Sequence, residues 1–93
     1  PIIKKDCAFI IDENINYNTI EKIIYENSSK LLKNVKLFDI FKSESLGEDK
    51  KSLAFELIYF DESRTLTEEE VEVEFWKAIE SVKQKVNAEL RGK

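Results

Sequence analysis

An acid and an aromatic residue, Asp39 and Phe41, lie two positions apart in the run LFDIF at 37–41. An ionised carboxylate only accepts hydrogen bonds, so it matches paired N–H donors such as those on the Watson–Crick edge of guanine. An aromatic ring offers a face on which an unstacked base can lie, worth about 1 to 3 kcal/mol per base. Together the two residue types favour binding of a nucleobase from single-stranded RNA.

The residue inventory gives no support for catalysis. The chain has no His, and its single Cys7 lies in an apolar run without a plausible base beside it. It also shows no metal-ligand spacing and no glycine-rich phosphate loop. The acids between Glu68 and Glu74 are expected to interact with a helix dipole rather than with a cation. We therefore expect a noncatalytic module that takes no metal and no cofactor.

The length and composition predict one soluble domain covering residues 1–93. The chain is 42% hydrophobic and 37% charged, and no apolar run approaches the roughly 18 residues of a membrane span. No signal or transit segment is visible. Since the lone Cys7 cannot form an internal disulfide, it is expected to be a small buried hydrophobe in a reducing compartment, with the cytoplasm as the default.

The net charge of −4 argues against indiscriminate nucleic-acid binding, which needs a basic surface. The charge is nevertheless uneven along the chain. Residues 30–51 carry six lysines against four acids, a balance of +2, whereas residues 61–80 carry eight acids against two basic residues, a balance of −6. This distribution permits one basic face. The lysines around 43–51, namely Lys42, Lys50 and Lys51, are predicted to contact phosphates without reading sequence.

The periodicity of apolar residues predicts four strands and two helices. A first strand is predicted at 7–11. A first helix, capped by Asn16 or Asn18 and ended by residues 27–29, follows it. Two further strands, 35–42 and 52–60, flank a polar loop with Gly47 and form a hairpin. The second helix is predicted from about Thr67 to Lys85, because Thr67 and Glu70 form a capping box. A short edge strand at 88–91 ends the chain.

The order strand, helix, strand, strand, helix, strand is typical of an α+β, ferredoxin-like βαββαβ fold. Such a fold has a four-stranded antiparallel sheet with both helices on one face, and the other face is left uncovered. The predicted stripes that pack between sheet and helices are Ile20, Ile23 and Ile24 in the first helix and Val71, Phe75, Ala78, Ile79, Val82 and Val86 in the second.

Strand alternation predicts which residues lie on the uncovered face. In the first strand Cys7, Phe9 and Ile11 are predicted to face the helices, and in the third Leu53, Phe55, Leu57 and Tyr59. In the second strand Asp39 is expected to face outward, because a carboxylate under the helices is costly. Phe38 and Ile40 then face inward. The predicted open face carries Ala8, Ile10, Leu37, Asp39, Phe41, Ser52, Ala54 and Arg91.

Residue patterns leave a second class of function open. An uncovered face can be covered by another domain, and the chain can be a protein-interaction or small-ligand regulatory domain that uses this face or its second strand. Trp76 and Val73 lie off the apolar stripe of the second helix, which is typical either of a domain contact or of simple flank coverage. Lysines outnumber arginines 13 to 2. Arg64 and Arg91 therefore indicate either places where a planar guanidinium is needed or a chance choice of residue.

Five sequence runs resemble the C-terminal ferredoxin-fold anticodon-binding domain of the bacterial phenylalanyl-tRNA synthetase β subunit. The runs are KKDCAFIID, LFDIF, LGEDKKSLAFELIYFD, RTLTEEEV and ELRG, which together extend over essentially the whole chain. The resemblance implies an excised module of a longer subunit. The implied parent joins phenylalanine to its tRNA with ATP and magnesium, and is assembled from two α and two β subunits.

The same resemblance implies a binding site and its partners. The positions that approach the tRNA anticodon in the family correspond here to Ala8, Asp39, Phe41, Ser52 and Arg91. The implied partners are the anticodon arm of phenylalanine tRNA, the rest of the β subunit and the α subunit, with no membrane and no DNA. Two positions depart from the family pattern. Phe41 replaces a Tyr found in some members, and Lys5 replaces an Arg, so Lys5 is expected to contribute only a charge toward phosphate.

Overall fold

The computed structural model describes residues 1–92 and confirms the ferredoxin-like α+β fold. The four strands form one antiparallel sheet in the order β2-β3-β1-β4, and the two helices pack against each other. A single 3₁₀ turn, Glu44–Leu46, lies in the loop of the hairpin. The elements are β1 (Ile3–Asp12), α1 (Tyr17–Glu26), β2 (Leu32–Phe41), β3 (Lys50–Tyr59), α2 (Glu68–Val86) and β4 (Glu89–Leu90).

Helix α1 begins and ends as its sequence predicts. The side chain of Asn16 accepts a hydrogen bond from the Asn18 N–H at 2.9 Å and so satisfies one of the free amides of the first turn. At the other end, the Asn27 side chain donates to the Ile23 carbonyl at 2.8 Å. The predicted isoleucine stripe is buried, so α1 is held by its apolar face.

Helix α2 opens with the predicted capping box. The Thr67 hydroxyl accepts from the Glu70 N–H at 3.2 Å, and the Glu70 carboxylate accepts from the Thr67 N–H at 2.8 Å. Arg64 adds two hydrogen bonds of 2.8 Å to the same carboxylate. The predicted stripe is buried except for Val86, which is partly buried. No helix within residues 1–92 combines the length and the apolar character needed to cross a membrane.

The capping box predicts a pH dependence of stability. Hydrogen bonds from Arg64 and from the Thr67 amide lower the pKa of Glu70 from its ordinary 4.5 to about 2. A carboxylate whose pKa is depressed by folding stabilises the folded state above its unfolded pKa, and this contribution is lost as the pH falls through the folded pKa. We therefore expect Glu70→Gln to be less stable than wild type at neutral pH. The difference should shrink between about pH 4.5 and 2.

Urea unfolding midpoints at a series of pH values measure this effect. Arg64→Gln removes the partner of Glu70. The difference in stability between this variant and wild type should also shrink between about pH 4.5 and 2. A difference between wild type and Glu70→Gln that stays constant down to pH 2 would contradict the assignment.

The core lies between the helices and the inner residues of β1 and β3. Phe9 and Phe55 are fully buried, and their ring centroids lie 6.4 Å apart at an angle of 56°. Cys7 is buried as predicted, and this burial raises the pKa of its thiol to about 12. The alternation predicted for these two strands is confirmed, with Cys7, Phe9, Ile11, Leu53, Phe55, Leu57 and Tyr59 all buried.

Strand β2 departs from the predicted alternation at Phe38. Leu37 lies opposite Phe55, but the next paired residue is Asp39, opposite Ala54, so Phe38 is the extra residue of a β-bulge. The bulge shifts the alternation by one residue. As a consequence Leu37 lies on the side of Phe55 and packs against the core, and its predicted place on the open face is wrong.

Phe38 and Ile40 were predicted to face inward and pack against the helices, but neither side chain is buried. Phe38 is 52% exposed and Ile40 is 61% exposed. Ile40 pairs with Leu53 and so lies on the helix side of the sheet, but β2 is an edge strand and the helices do not cover this end of it. Asp39 and Phe41 follow the bulge and face away from the helices, as the sequence predicted.

Candidate functional site

One row of residues crosses the uncovered face from an acid to an arginine. Asp39 pairs with Ala54, Ala54 pairs with Ala8, and the Ala8 carbonyl accepts a hydrogen bond from the Arg91 N–H at 2.8 Å. Three strand spacings separate the two charged residues at their backbones, a distance of about 14 Å. The two alanines between them raise no side chain beyond Cβ. We call this row, from Asp39 over Ala54 and Ala8 to Arg91, the trough, because its two central side chains are small.

A second row runs beside the first and contains the aromatic residue. Phe41 pairs with Ser52, Ser52 with Ile10, and Ile10 with Glu89. Phe41 is 39% exposed on this face. The aromatic ring therefore lies one row from the alanine floor, on the same edge strand as Asp39.

Arg91 connects the two rows. Its Cζ lies 4.7 Å from the centroid of the Phe41 ring, which is a cation–π contact, and its Nη1 donates to the Ser52 hydroxyl at 3.3 Å. Ser52 is only 2% exposed although no helix covers its side of the sheet. The structure thus brings Phe41, Ser52 and Arg91 into contact.

Asp39 is exposed at the edge of the sheet. None of the ion pairs formed within residues 1–92 involves its carboxylate. Its position opposite Ala54, with only small side chains beyond, leaves the oxygens accessible from above the trough. The carboxylate can accept hydrogen bonds from a ligand that lies on the alanines.

Two of the hairpin lysines form ion pairs with acids at and just after the end of β1. Lys42 forms an ion pair with Glu13, which lowers the pKa of the Glu13 carboxyl, and Lys50 pairs with Asp12 at 2.8 Å. Lys51 lies opposite Ile11 and alternates with Ser52, so it belongs to the helix side of the sheet. The predicted contacts of these three lysines with phosphate remain predictions.

Lys5 does not lie on the uncovered face. It pairs with Leu57 in the sheet and therefore faces α2, where it forms ion pairs with Glu72 and, at 3.8 Å, with Glu68. Its ammonium lies 5.8 Å from the centre of the Phe75 ring. The expected phosphate contact from Lys5 is not supported, because helix acids already neutralise its charge on the opposite side of the sheet.

The acids of α2 interact with protein groups. Glu70 binds Arg64, Glu72 accepts from the Trp76 indole N–H at 2.9 Å, and Glu74 accepts from the Ser29 N–H at 3.1 Å. Within the part of the chain that the structure describes, no group of three or more His, Cys, Asp or Glu side chains is arranged to hold a metal ion.

Sequence reasoning missed two features of the site. Ala54 was placed on the open face but not among the binding residues, although it lies directly between Asp39 and Ala8. Its alternation with Ser52 is the signal that identifies it. The contact between Arg91 and Phe41 has no comparable signal, since it depends on how four strands that are distant in sequence pair with one another.

The structure is that of an open-faced ferredoxin-like α+β domain. Two helices cover one face of its sheet, and the other face carries an acid, an aromatic residue and an arginine. A family model described as the ferredoxin-fold anticodon binding domain matches residues 1–91. The chain belongs to this family.

Three curated relatives of the chain are each named phenylalanine–tRNA ligase beta subunit. The protein of Listeria monocytogenes serotype 4b is 44% identical over 91 residues, 98% of this chain and 11% of the relative. That of Corynebacterium efficiens is 40% identical over 92 residues, 99% of this chain and 11% of the relative. That of Bacteroides thetaiotaomicron is 36% identical over 91 residues, with 98% and 11% covered. The chain therefore spans about a tenth of the length of these relatives.

Proposed function

We propose that this chain is the part of a phenylalanine–tRNA ligase beta subunit that binds the anticodon arm of phenylalanine tRNA. The observation that carries the proposal is the meeting of Phe41, Ser52 and Arg91 on the bare sheet face, beside the trough that runs from Asp39 over two alanines. The family match and the names of the relatives support the same assignment.

The first anticodon base stacks on Phe41 and presents its hydrogen-bonding edge to Asp39. Both residues follow the bulge on β2 and face the same way, one opposite Ser52 and the other opposite Ala54. The small floor lets a base lie flat, and the acceptor-only carboxylate favours an edge with two neighbouring donors, as in guanine. The residue types thus provide both affinity and selectivity.

Phosphate contacts come from the end of the hairpin. Lys42 and Lys50 are at least partly exposed. Phosphate oxygens can replace their present partners, Glu13 for Lys42 and Asp12 for Lys50. Lys51 lies on the helix side of the sheet and adds only its positive charge to this end of the hairpin. Because the parent enzyme would share tRNA binding among several domains, the isolated chain is expected to bind modestly.

The remainder of the parent supplies what this module lacks. In our proposal the module contains no cofactor, and ATP and magnesium are used elsewhere in the enzyme. Its protein partners are the rest of the beta subunit and the alpha subunit, in an α2β2 assembly in the cytoplasm.

Titration with a phenylalanine tRNA anticodon stem-loop tests the proposed function. The 93-residue chain is labelled with ¹⁵N and titrated at low and at high salt. Amide shifts should concentrate at Asp39, Phe41, Ser52 and Ala54, and the affinity should fall as salt rises. If the amides of the sheet do not shift at either salt concentration, the assignment is wrong.

Asp39→Asn is expected to reduce the preference for guanine over adenine at the first anticodon position about fivefold. The amide keeps one acceptor oxygen but loses the charge that strengthens the hydrogen bonds, at a cost of about 1 kcal/mol. The dissociation constants of two stem-loops that differ at this base measure the preference.

Glu26→Gln is the matched control, since Glu26 is exposed on α1, on the opposite side of the sheet from the trough. It removes the same charge and should leave base preference unchanged. An equal loss of preference in both variants would show that Asp39 acts only through net charge.

A second candidate function is suggested by the exposed apolar residues of β2. Phe38 and Ile40 lie on a ten-residue edge strand, which is a site where another chain can add a strand. Two register shifts interrupt this edge, and Lys33 and Lys36 lie along it, features that oppose edge-to-edge pairing. Sedimentation decides the question, because a stable dimer that does not bind RNA would favour this second function.

A further inference from the structure

We propose that Arg91 is an internal occupant of the base-stacking position, and that an unstacked nucleobase of single-stranded RNA must displace it. In the free chain its guanidinium covers Phe41 and Ser52. When the base takes the face of the Phe41 ring, the guanidinium moves to a phosphate of the same RNA. The inference rests on the function proposed above and adds an exchange step to it.

The distances place the guanidinium where a base would lie. Stacked aromatic partners have ring centres about 4.5 to 7 Å apart, and the Cζ of Arg91 lies 4.7 Å from the centre of the Phe41 ring. Two planar groups cannot occupy the same ring face at this distance. A base that stacks on this face of Phe41 therefore requires Arg91 to move.

The burial of Ser52 indicates that the stacking position beside it is occupied by Arg91. The residue is 2% exposed on the face that carries no helix, and its hydroxyl accepts a hydrogen bond from Arg91. Departure of the guanidinium would uncover this hydroxyl and leave it free to bond to the incoming base. Displacement of Arg91 thus both clears the ring and exposes a second polar contact.

The contacts of Arg91 are weak enough to be exchanged. Arg64 makes two 2.8 Å hydrogen bonds to the carboxylate of Glu70, whereas Arg91 makes one 3.3 Å hydrogen bond to a neutral hydroxyl. Among the ion pairs within residues 1–92, none joins Arg91 to a carboxylate. Phosphate is a stronger partner for a guanidinium than a neutral hydroxyl or the face of an aromatic ring.

The backbone of Arg91 can stay in place during the exchange. Its N–H donates to the Ala8 carbonyl at 2.8 Å, which continues the pairing of β4 with β1. The flexible side chain therefore moves about a fixed point at the edge of the trough. This arrangement keeps the guanidinium close to a bound RNA strand after it leaves the ring.

The two arginines of the chain allow a direct spectroscopic test. With ¹⁵N and ¹³C arginine, two side-chain signals are expected, and the ring current of Phe41 should shift the Arg91 signal in the free chain. Phe41→Leu should abolish this shift. Addition of the stem-loop to saturation should remove it from wild type as well, while the Arg64 signal stays constant. A ring-current shift that persists in the saturated complex overturns the exchange.

Salt dependence of binding provides a second readout. Arg91→Gln should bind the stem-loop more weakly than wild type at low salt, because a phosphate contact is missing, and its log–log salt slope should be smaller by about 0.7. At high salt the phosphate contact of wild type is screened, whereas the Phe41 ring of the variant is already free for the base. There the variant should bind as tightly as wild type or up to about fivefold more tightly.

Arg64→Gln is the matched control, and its salt slope should equal that of wild type. If Arg91→Gln is weaker than wild type by one constant factor at every salt concentration, Arg91 is a fixed contact and the exchange is wrong, although RNA binding stands. If wild type fails to bind the stem-loop at all, the proposed function fails and the exchange fails with it.

Discussion

Phe41→Ala is expected to weaken binding of the chain to the anticodon stem-loop about 5- to 150-fold, the equivalent of 1 to 3 kcal/mol. The substitution removes the aromatic ring that lies opposite Ser52 on the uncovered face, two residues from Asp39. Because Phe41 is 39% exposed at the end of an edge strand, its loss should change the free energy of unfolding little. Fluorescence anisotropy of a labelled stem-loop measures the affinity, and urea unfolding measures the stability.

Two further variants limit the interpretation of that result. Trp76→Ala removes an exposed aromatic ring from α2, on the covered side of the domain, and should leave the affinity unchanged. Phe41→Tyr keeps the ring and should be nearly neutral or helpful. A large loss in Phe41→Tyr would show that the site has no room for a hydroxyl, and an unchanged affinity in Phe41→Ala would remove stacking from the proposal.

The inner faces of β1 and β3 could be predicted from sequence because these strands are regular and central. Each has a neighbour on both sides, and their register runs without interruption from Ile3 opposite Tyr59 to Asp12 opposite Lys50. Every second residue therefore meets the helices. The capping box of α2 was equally accessible, since it depends on Thr67 and Glu70, three residues apart in sequence.

Strand β2 could not be predicted in the same way. Its run LFDIF is apolar on both sides of Asp39, so either alternation buries apolar residues and the pattern contains no sign of an extra residue. The bulge at Phe38 is set by pairing with β3. The prediction for Asp39 and Phe41 succeeded because both follow the bulge, and the prediction for Leu37 failed because it precedes it.

The same distinction between local pattern and strand pairing applies to the candidate site. The outward direction of Ala8 and Ser52 follows from local alternation, whereas the contact between Arg91 and Phe41 requires the strand order β2-β3-β1-β4. The ion pairs of Lys42 with Glu13 and of Lys50 with Asp12 likewise depend on the sheet register. Local patterns identified most of the residues on the uncovered side, and tertiary pairing determines which of them are in contact.

Phe55→Ala is expected to lower the free energy of unfolding by about 3 to 5 kcal/mol. Phe55 is fully buried on the inner face of β3, where its ring contacts Phe9, and truncation leaves a cavity that the two helices cannot close. Domains of this size are typically stable by only about 5 to 15 kcal/mol, so this loss removes a large part of the total stability. Phe55→Leu, a smaller change, should then cost about 1.5 kcal/mol and remain measurable by urea unfolding.

Phe38→Ala is the matched control, because simple alternation assigns both aromatic residues to the core while the structure buries only one. Phe38 is the bulge residue on the edge strand and is 52% exposed, so its truncation should cost less than about 1 kcal/mol. A large loss of stability in Phe38→Ala would mean that the ring is buried and that β2 has no bulge there. Without the bulge Leu37 and Asp39 would share a face, and the trough over Ala54 and Ala8 would have an apolar wall.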